Sequence, residues 1–64
     1  MTLQLTVPNM ACSACADTIT RAVKALDPAA KIDAEPKSKQ VNIDTQANEA
    51  AVRNAIALAG YTVA

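Results

Sequence analysis

The sequence predicts an α+β fold, a β-α-β-β-α-β chain whose four strands form one antiparallel sheet with two helices on one face. Three observations predict it. Apolar and polar residues alternate in four short segments, two longer segments repeat their apolar residues at helical spacing, and proline or glycine punctuates several of the boundaries.

Leu3, Leu5 and Val7 alternate with Thr2, Gln4 and Thr6, and Pro8, which has no amide to donate to a ladder, ends the first strand after residues 2–7. From Cys15 onward Ile19, Ala22, Val23 and Leu26 fall on one helical face, with Asp17, Arg21 and Lys24 opposite. Asp17 and Arg21 form an i,i+4 pair of favourable sign. Asp27-Pro28 stops this helix, because a residue before proline is pushed out of the helical region, so it runs over Ser13–Leu26.

Ile32 and Ala34, then Val41 and Ile43, alternate with polar neighbours around Pro36-Lys37-Ser38-Lys39, the pattern of a hairpin with a charged turn. Asn48 is a suitable N-cap for a second helix carrying Val52, Ala55, Ile56 and Ala59, and Gly60 can take the left-handed conformation that closes it. Tyr61-Thr62-Val63 then reads as a short fourth strand. Right-handed crossovers put both helices on one side of the sheet, the ferredoxin-like arrangement.

At 64 residues the chain is expected to form a single domain, residues 1–64, with a thin core of Leu, Ile, Val and Ala, since Tyr61 is its one aromatic residue. Six basic and six acidic residues balance to zero without like-charge runs, which argues against nucleic-acid binding. No segment approaches the ~18 apolar residues of a membrane span and no secretory leader is recognisable, so no membrane insertion and a cytoplasmic location are expected. In that compartment Cys12 and Cys15 would stay reduced. A disulfide closing so short a loop would contribute only about 2 kcal/mol, so the pair reads as chemical rather than structural.

Cys12 falls in the loop after the first strand and Cys15 in the first turn of the first helix, where free amides and the helix dipole favour thiolate. Soft thiolates select Cu(I) or Zn(II). Two of them complete a near-linear Cu(I) site but only half of a structural zinc shell, and there is no histidine and no third cysteine. A two-coordinate ion in an exposed loop also leaves room for a third sulfur, which suits transfer better than storage. On spacing alone, however, C-x-x-C fits metal binding and thiol redox chemistry equally well.

Met10-Ala11-Cys12-Ser13-Ala14-Cys15, the order of elements, and Ala59-Gly60-Tyr61 before the last strand together resemble the heavy-metal-associated domain family, specifically its bacterial copper chaperones, over essentially the whole chain. The resemblance implies a chaperone that is not an enzyme, binding Cu(I) through Cys12 and Cys15 and delivering it to the soluble domain of a copper-transporting P-type ATPase. It also implies that Met10 packs inward to support the loop, a reading to be set against a thioether contact with the metal, and that the segment with Tyr61 approaches the metal; Tyr61 itself either fills the edge of the core or tunes the site from outside the ligand set. Asn9 stands where the family commonly has glycine, and Ala11 where it often has threonine; neither change removes a ligand.

Arg21 and Lys24 are either a plain solvated face or the flank of a docking surface that steers an acidic partner. Two exposed dithiol loops could share metal in a Cu(I)-bridged homodimer. The competing functions are a thiol-disulfide oxidoreductase using the same cysteines, and a metal-binding domain cut from a heavy-metal ATPase or a carrier for mercury or zinc. An initiator-like Met1 and the lack of a linker favour a free-standing carrier.

Overall fold

The computed structural model describes residues 2–64 and orders them as β1 (Thr2–Thr6), α1 (Ser13–Leu26), β2 (Lys31–Glu35), β3 (Gln40–Asp44) and α2 (Glu49–Leu58). Met1, read above as initiator-like, lies outside these residues. The sheet is antiparallel in the order β1-β3-β2, with Leu3 opposite Ile43 and Ile43 opposite Ile32. This register puts the apolar residues of all three strands on one face, and Leu3, Leu5, Val41 and Ile43 are buried there. Ile19 and Val23 of α1 and Val52 and Ile56 of α2 complete the core from the helices, and all four are fully buried. No helix among the described residues is long and apolar enough to cross a membrane.

The expected fourth strand does not form. The segment after α2 reaches β1, where the amide of Ala64 donates to the carbonyl of Thr6 at 2.8 Å, but no ladder follows. An antiparallel register with Ala64 opposite Thr6 puts Thr62 opposite Pro8, and Pro8 has no amide to return. The Thr62 amide is instead taken by the side chain of Asn9 at 3.0 Å. The sheet is therefore three-stranded, with a C-terminal segment resting beside β1.

Local signals set the helix ends. Asn48 caps α2 by accepting the Ala51 amide at 2.7 Å. At the other end Gly60 has φ +97°, its amide bonds to the Ala57 carbonyl and the Tyr61 amide to the Ile56 carbonyl. This pair of bonds is the Schellman closure, and it turns Tyr61 back onto the core beyond Ile56. The expected Asp17–Arg21 ion pair does not form among the described residues; both side chains are exposed, where holding two long side chains together offsets most of the attraction. Glu49 and Arg53 on α2 do pair, at 2.8 Å.

Below α1, Asp27 organises the turn into β2 and the approach to α2. Its carboxylate accepts the Ala29 amide, the Thr45 hydroxyl at 2.6 Å and the Gln46 amide. The buried Thr45 oxygen in turn accepts the Ala47 amide at 3.0 Å. These bonds to the charged form hold the Asp27 carboxyl below its ordinary value, led by the Thr45 hydroxyl.

Candidate metal centre

The loop between β1 and α1 begins with a tight turn in which the Met10 amide donates to the Val7 carbonyl at 3.0 Å. Pro8 supplies the fixed φ that such a turn favours at its second position, and Asn9 follows without positive φ. The turn buries Met10 completely against the core. With Met10 pinned inside, the chain emerges again at Ala11 and Cys12, both exposed.

Cys12 occupies the N-cap of α1 in an extended conformation, and its side chain caps no helix amide. Its carbonyl starts the helix by accepting the Ala16 amide at 3.2 Å. Cys15, half-buried, lies one turn later on the same side, so the two sulfurs stand 3.4 Å apart. That is too far for a disulfide bond of about 2.04 Å. Metal–sulfur bonds of about 2.3 Å would hold one ion between the sulfurs at their present spacing in a bent arrangement, and an opening of about 1 Å would make it linear. Among the described residues no group of three or more cysteine, aspartate and glutamate side chains could hold a metal, so the dithiol has no further protein ligand of those types.

The electrostatics favour thiolate at Cys15, lowered from 9.0 to about 7. The largest cause is the Tyr61 hydroxyl as a donor toward the Cys15 sulfur; the Ala11 amide and the Cys12 thiol, 3.4 Å away, add to it, partial burial opposes it, and the Cys12 amide contributes last. Tyr61 pays no charge cost of its own, because the Cys15 sulfur and partial burial raise its phenol above the ordinary value and keep it a donor. The amides that contribute are those of Ala11 and Cys12, which precede the first helical residue Ser13, rather than the amides of the helix itself expected from the sequence, and a side chain from the far end of the chain contributes more.

The structure thus brings Cys12, Cys15 and Tyr61 together, with Met10 beneath them. Arg21 and Lys24 are exposed along α1, about 9 and 14 Å along the axis from Cys15, and touch none of these groups. Two residues not singled out by their chemistry support the site. Asn9 anchors the segment behind Tyr61 through Thr62, and Lys39 donates from its ammonium to the Met10 carbonyl at 2.8 Å. Asn9 stood out only as a departure from the family pattern, and Lys39 only as part of a charged turn.

A small α+β module presenting a reduced dithiol at a helix N-terminus is the class that this fold and site define. Within that class the chain belongs to the heavy-metal-associated domain family, which matches residues 4–62. It is similar to a trimeric form of a histidine-to-tyrosine variant of the copper chaperone Atx1 from Synechocystis PCC6803, with 45% identity over 97% of this chain and 98% of that one and a TM-score of 0.95. It is also similar to the solution structure of the cyanobacterial copper metallochaperone ScAtx1, with 45% identity over 100% of both chains and a TM-score of 0.83. The CopZ metallochaperone, at 22% identity over 100% of both chains and a TM-score of 0.91, shares the fold. No curated protein sequence matches the chain.

Proposed function

We propose that this protein is a copper chaperone that holds one Cu(I) between the Cys12 and Cys15 thiolates and passes it to the soluble domain of a copper-transporting P-type ATPase. The observation that carries the reading is the convergence of the two free sulfurs at 3.4 Å with Cys12 exposed. A soft pair of thiolates matches a soft monovalent ion, and the missing third ligand leaves an approach for an incoming sulfur. The similarity to copper chaperones at 45% identity supports the same cargo.

Transfer follows by ligand exchange. A thiolate of the acceptor approaches the exposed side, a three-coordinate ion forms, and Cys12 and then Cys15 are released as a second acceptor thiolate binds. Cys12 is the first to exchange because it is exposed and belongs to the extended residue before the helix, whereas Cys15 is held within its first turn. Copper and sulfur keep their oxidation states throughout and the ion leaves unchanged, which is the action of a carrier rather than of an enzyme. Arg21 and Lys24 supply positive charge along the helix that would face an acidic acceptor.

The redox alternative needs an exposed thiolate to attack a disulfide. Here the thiol whose charged form is favoured is Cys15, the half-buried one of the pair, which suits a ligand better than a nucleophile. Cys15→Ser separates the two functions. A carrier loses Cu(I) affinity and shows no turnover; an oxidoreductase accumulates mixed disulfides with its substrates, and that outcome would replace the present reading.

A further inference from the structure

We propose that Lys39 is a positioning residue of the metal-binding loop, its ammonium clamping the Met10 carbonyl and so fixing the Met10–Ala11 peptide that leads into Cys12. The proposal deepens the copper-carrier reading and rests on it only for the consequence for Cu(I).

The first observation is a backbone outlier. Lys39 has φ +64°, and among the described residues it is the one non-glycine residue with positive φ. Glycine takes that conformation without strain, and asparagine or aspartate tolerates it better than lysine, so hairpin turns normally place one of those there. A strained residue persists where its surroundings determine it, and such positions concentrate at functional sites.

The second observation is what the strained residue reaches. Its carbonyl accepts the Val7 amide at 2.8 Å, and its half-buried ammonium donates to the Met10 carbonyl, also at 2.8 Å, 29 residues away. The Met10 amide donates to the Val7 carbonyl at 3.0 Å. Lys39, Val7 and Met10 therefore close a three-cornered network that joins the tip of the β2–β3 hairpin to the loop carrying Cys12.

The third observation is where the network ends. The carbonyl held by Lys39 belongs to the peptide that joins buried Met10 to exposed Ala11, the residue before Cys12, so the ammonium fixes the chain where it leaves the core for the metal-binding loop. Lys39 thus acts on the loop through its backbone, without touching a cysteine. A glycine at position 39 would relax the turn and abolish this connection.

Three variants test the clamp: Lys39→Gly, Lys39→Met and Lys39→Arg. Glycine removes both the strain and the ammonium, methionine removes the ammonium alone, and arginine keeps a cationic donor. In the metal-free protein the Met10 amide, which donates to the Val7 carbonyl inside the clamped network, should exchange with solvent about tenfold faster in the glycine and methionine variants alike, the order of loss expected when a hydrogen bond to a charged group is removed, and near the wild-type rate with arginine. The thermal midpoint should separate the first two, with glycine the more stable, so loop protection and global stability part company. A merely structural role would make protection follow stability. Cu(I) affinity, read by competition with a chromophoric Cu(I) chelator, should fall several-fold in both variants lacking the ammonium and recover with arginine. Wild-type Met10 exchange in both the glycine and methionine variants would overturn the proposal. If the wild-type chain itself fails to bind Cu(I), the carrier reading falls while the exchange rates still decide the clamp.

Discussion

The Asn9 side chain accepts the Thr62 amide at 3.0 Å, joining the metal-binding loop to a segment 53 residues later in the chain. The backbone of Tyr61 is fixed on both sides, by this bond and by the Schellman closure at Gly60, and its hydroxyl is the largest cause of the lowered Cys15 pKa. Asn9→Ala removes the acceptor. It should cost about 1 kcal/mol in denaturant unfolding, accelerate exchange of the Thr62 amide, and let the Cys15 pKa drift upward as Tyr61 loosens.

Tyr61→Phe removes the largest cause of the Cys15 shift, so the thiol should move from about 7 back toward 9.0. Ultraviolet thiolate absorbance in a Cys12→Ser background would follow that single titration. The linkage has a definite sign. A thiol lowered on folding contributes stability that is complete above its unfolded value near 9.0 and is lost as pH falls through about 7. The metal-free wild type should therefore gain stability relative to Tyr61→Phe between pH 7 and 9, and the two pH profiles should become parallel well below 7.

Met10 is fully buried, so its contribution is packing. Met10→Ala should cost about 2–5 kcal/mol, a large part of what a chain of this size has available. Met10→Leu keeps the volume and should cost less than about 1.5 kcal/mol while leaving the Cu(I) stoichiometry unchanged. Loss of the metal in the leucine variant would assign the thioether to the site.

Thr45→Val deletes the hydroxyl that donates to Asp27 and strands the Ala47 amide, at a cost of about 1–3 kcal/mol in unfolding free energy. Asp27 also predicts an acid transition. Its lowered carboxyl contributes stability that is complete above 3.8 and disappears as pH falls through the native value, so Asp27→Asn should flatten the stability profile below pH 4.

What the sequence revealed and what it hid divide by range of interaction. Asn48 and Gly60 announced the ends of α2 because caps and left-handed closures are local, and the alternation on either side of Pro36 to Lys39 marked the hairpin and its turn. The cysteine spacing placed both sulfurs at one helix terminus for the same reason. The fourth strand misled because alternation in Tyr61-Thr62-Val63 is visible while its opposing neighbour is not: Pro8 cannot donate, and Asn9 takes the amide instead. Lys39 gave no signal, since lysine in a charged turn is ordinary and its reach to Met10 exists only once β1 and β3 have paired. The dominance of Tyr61 over the Ala11 and Cys12 amides at Cys15 likewise depends on tertiary placement.

The most direct test of the carrier is an anaerobic Cu(I) titration against a competing chelator, carried out on the wild type, Cys12→Ser and Cys15→Ser, with the double variant as control. The predicted result is one tightly held Cu(I) per chain in the wild type, strongly weakened by either single change and absent from the double variant. A tight one-to-one site that survives the loss of both sulfurs would contradict it.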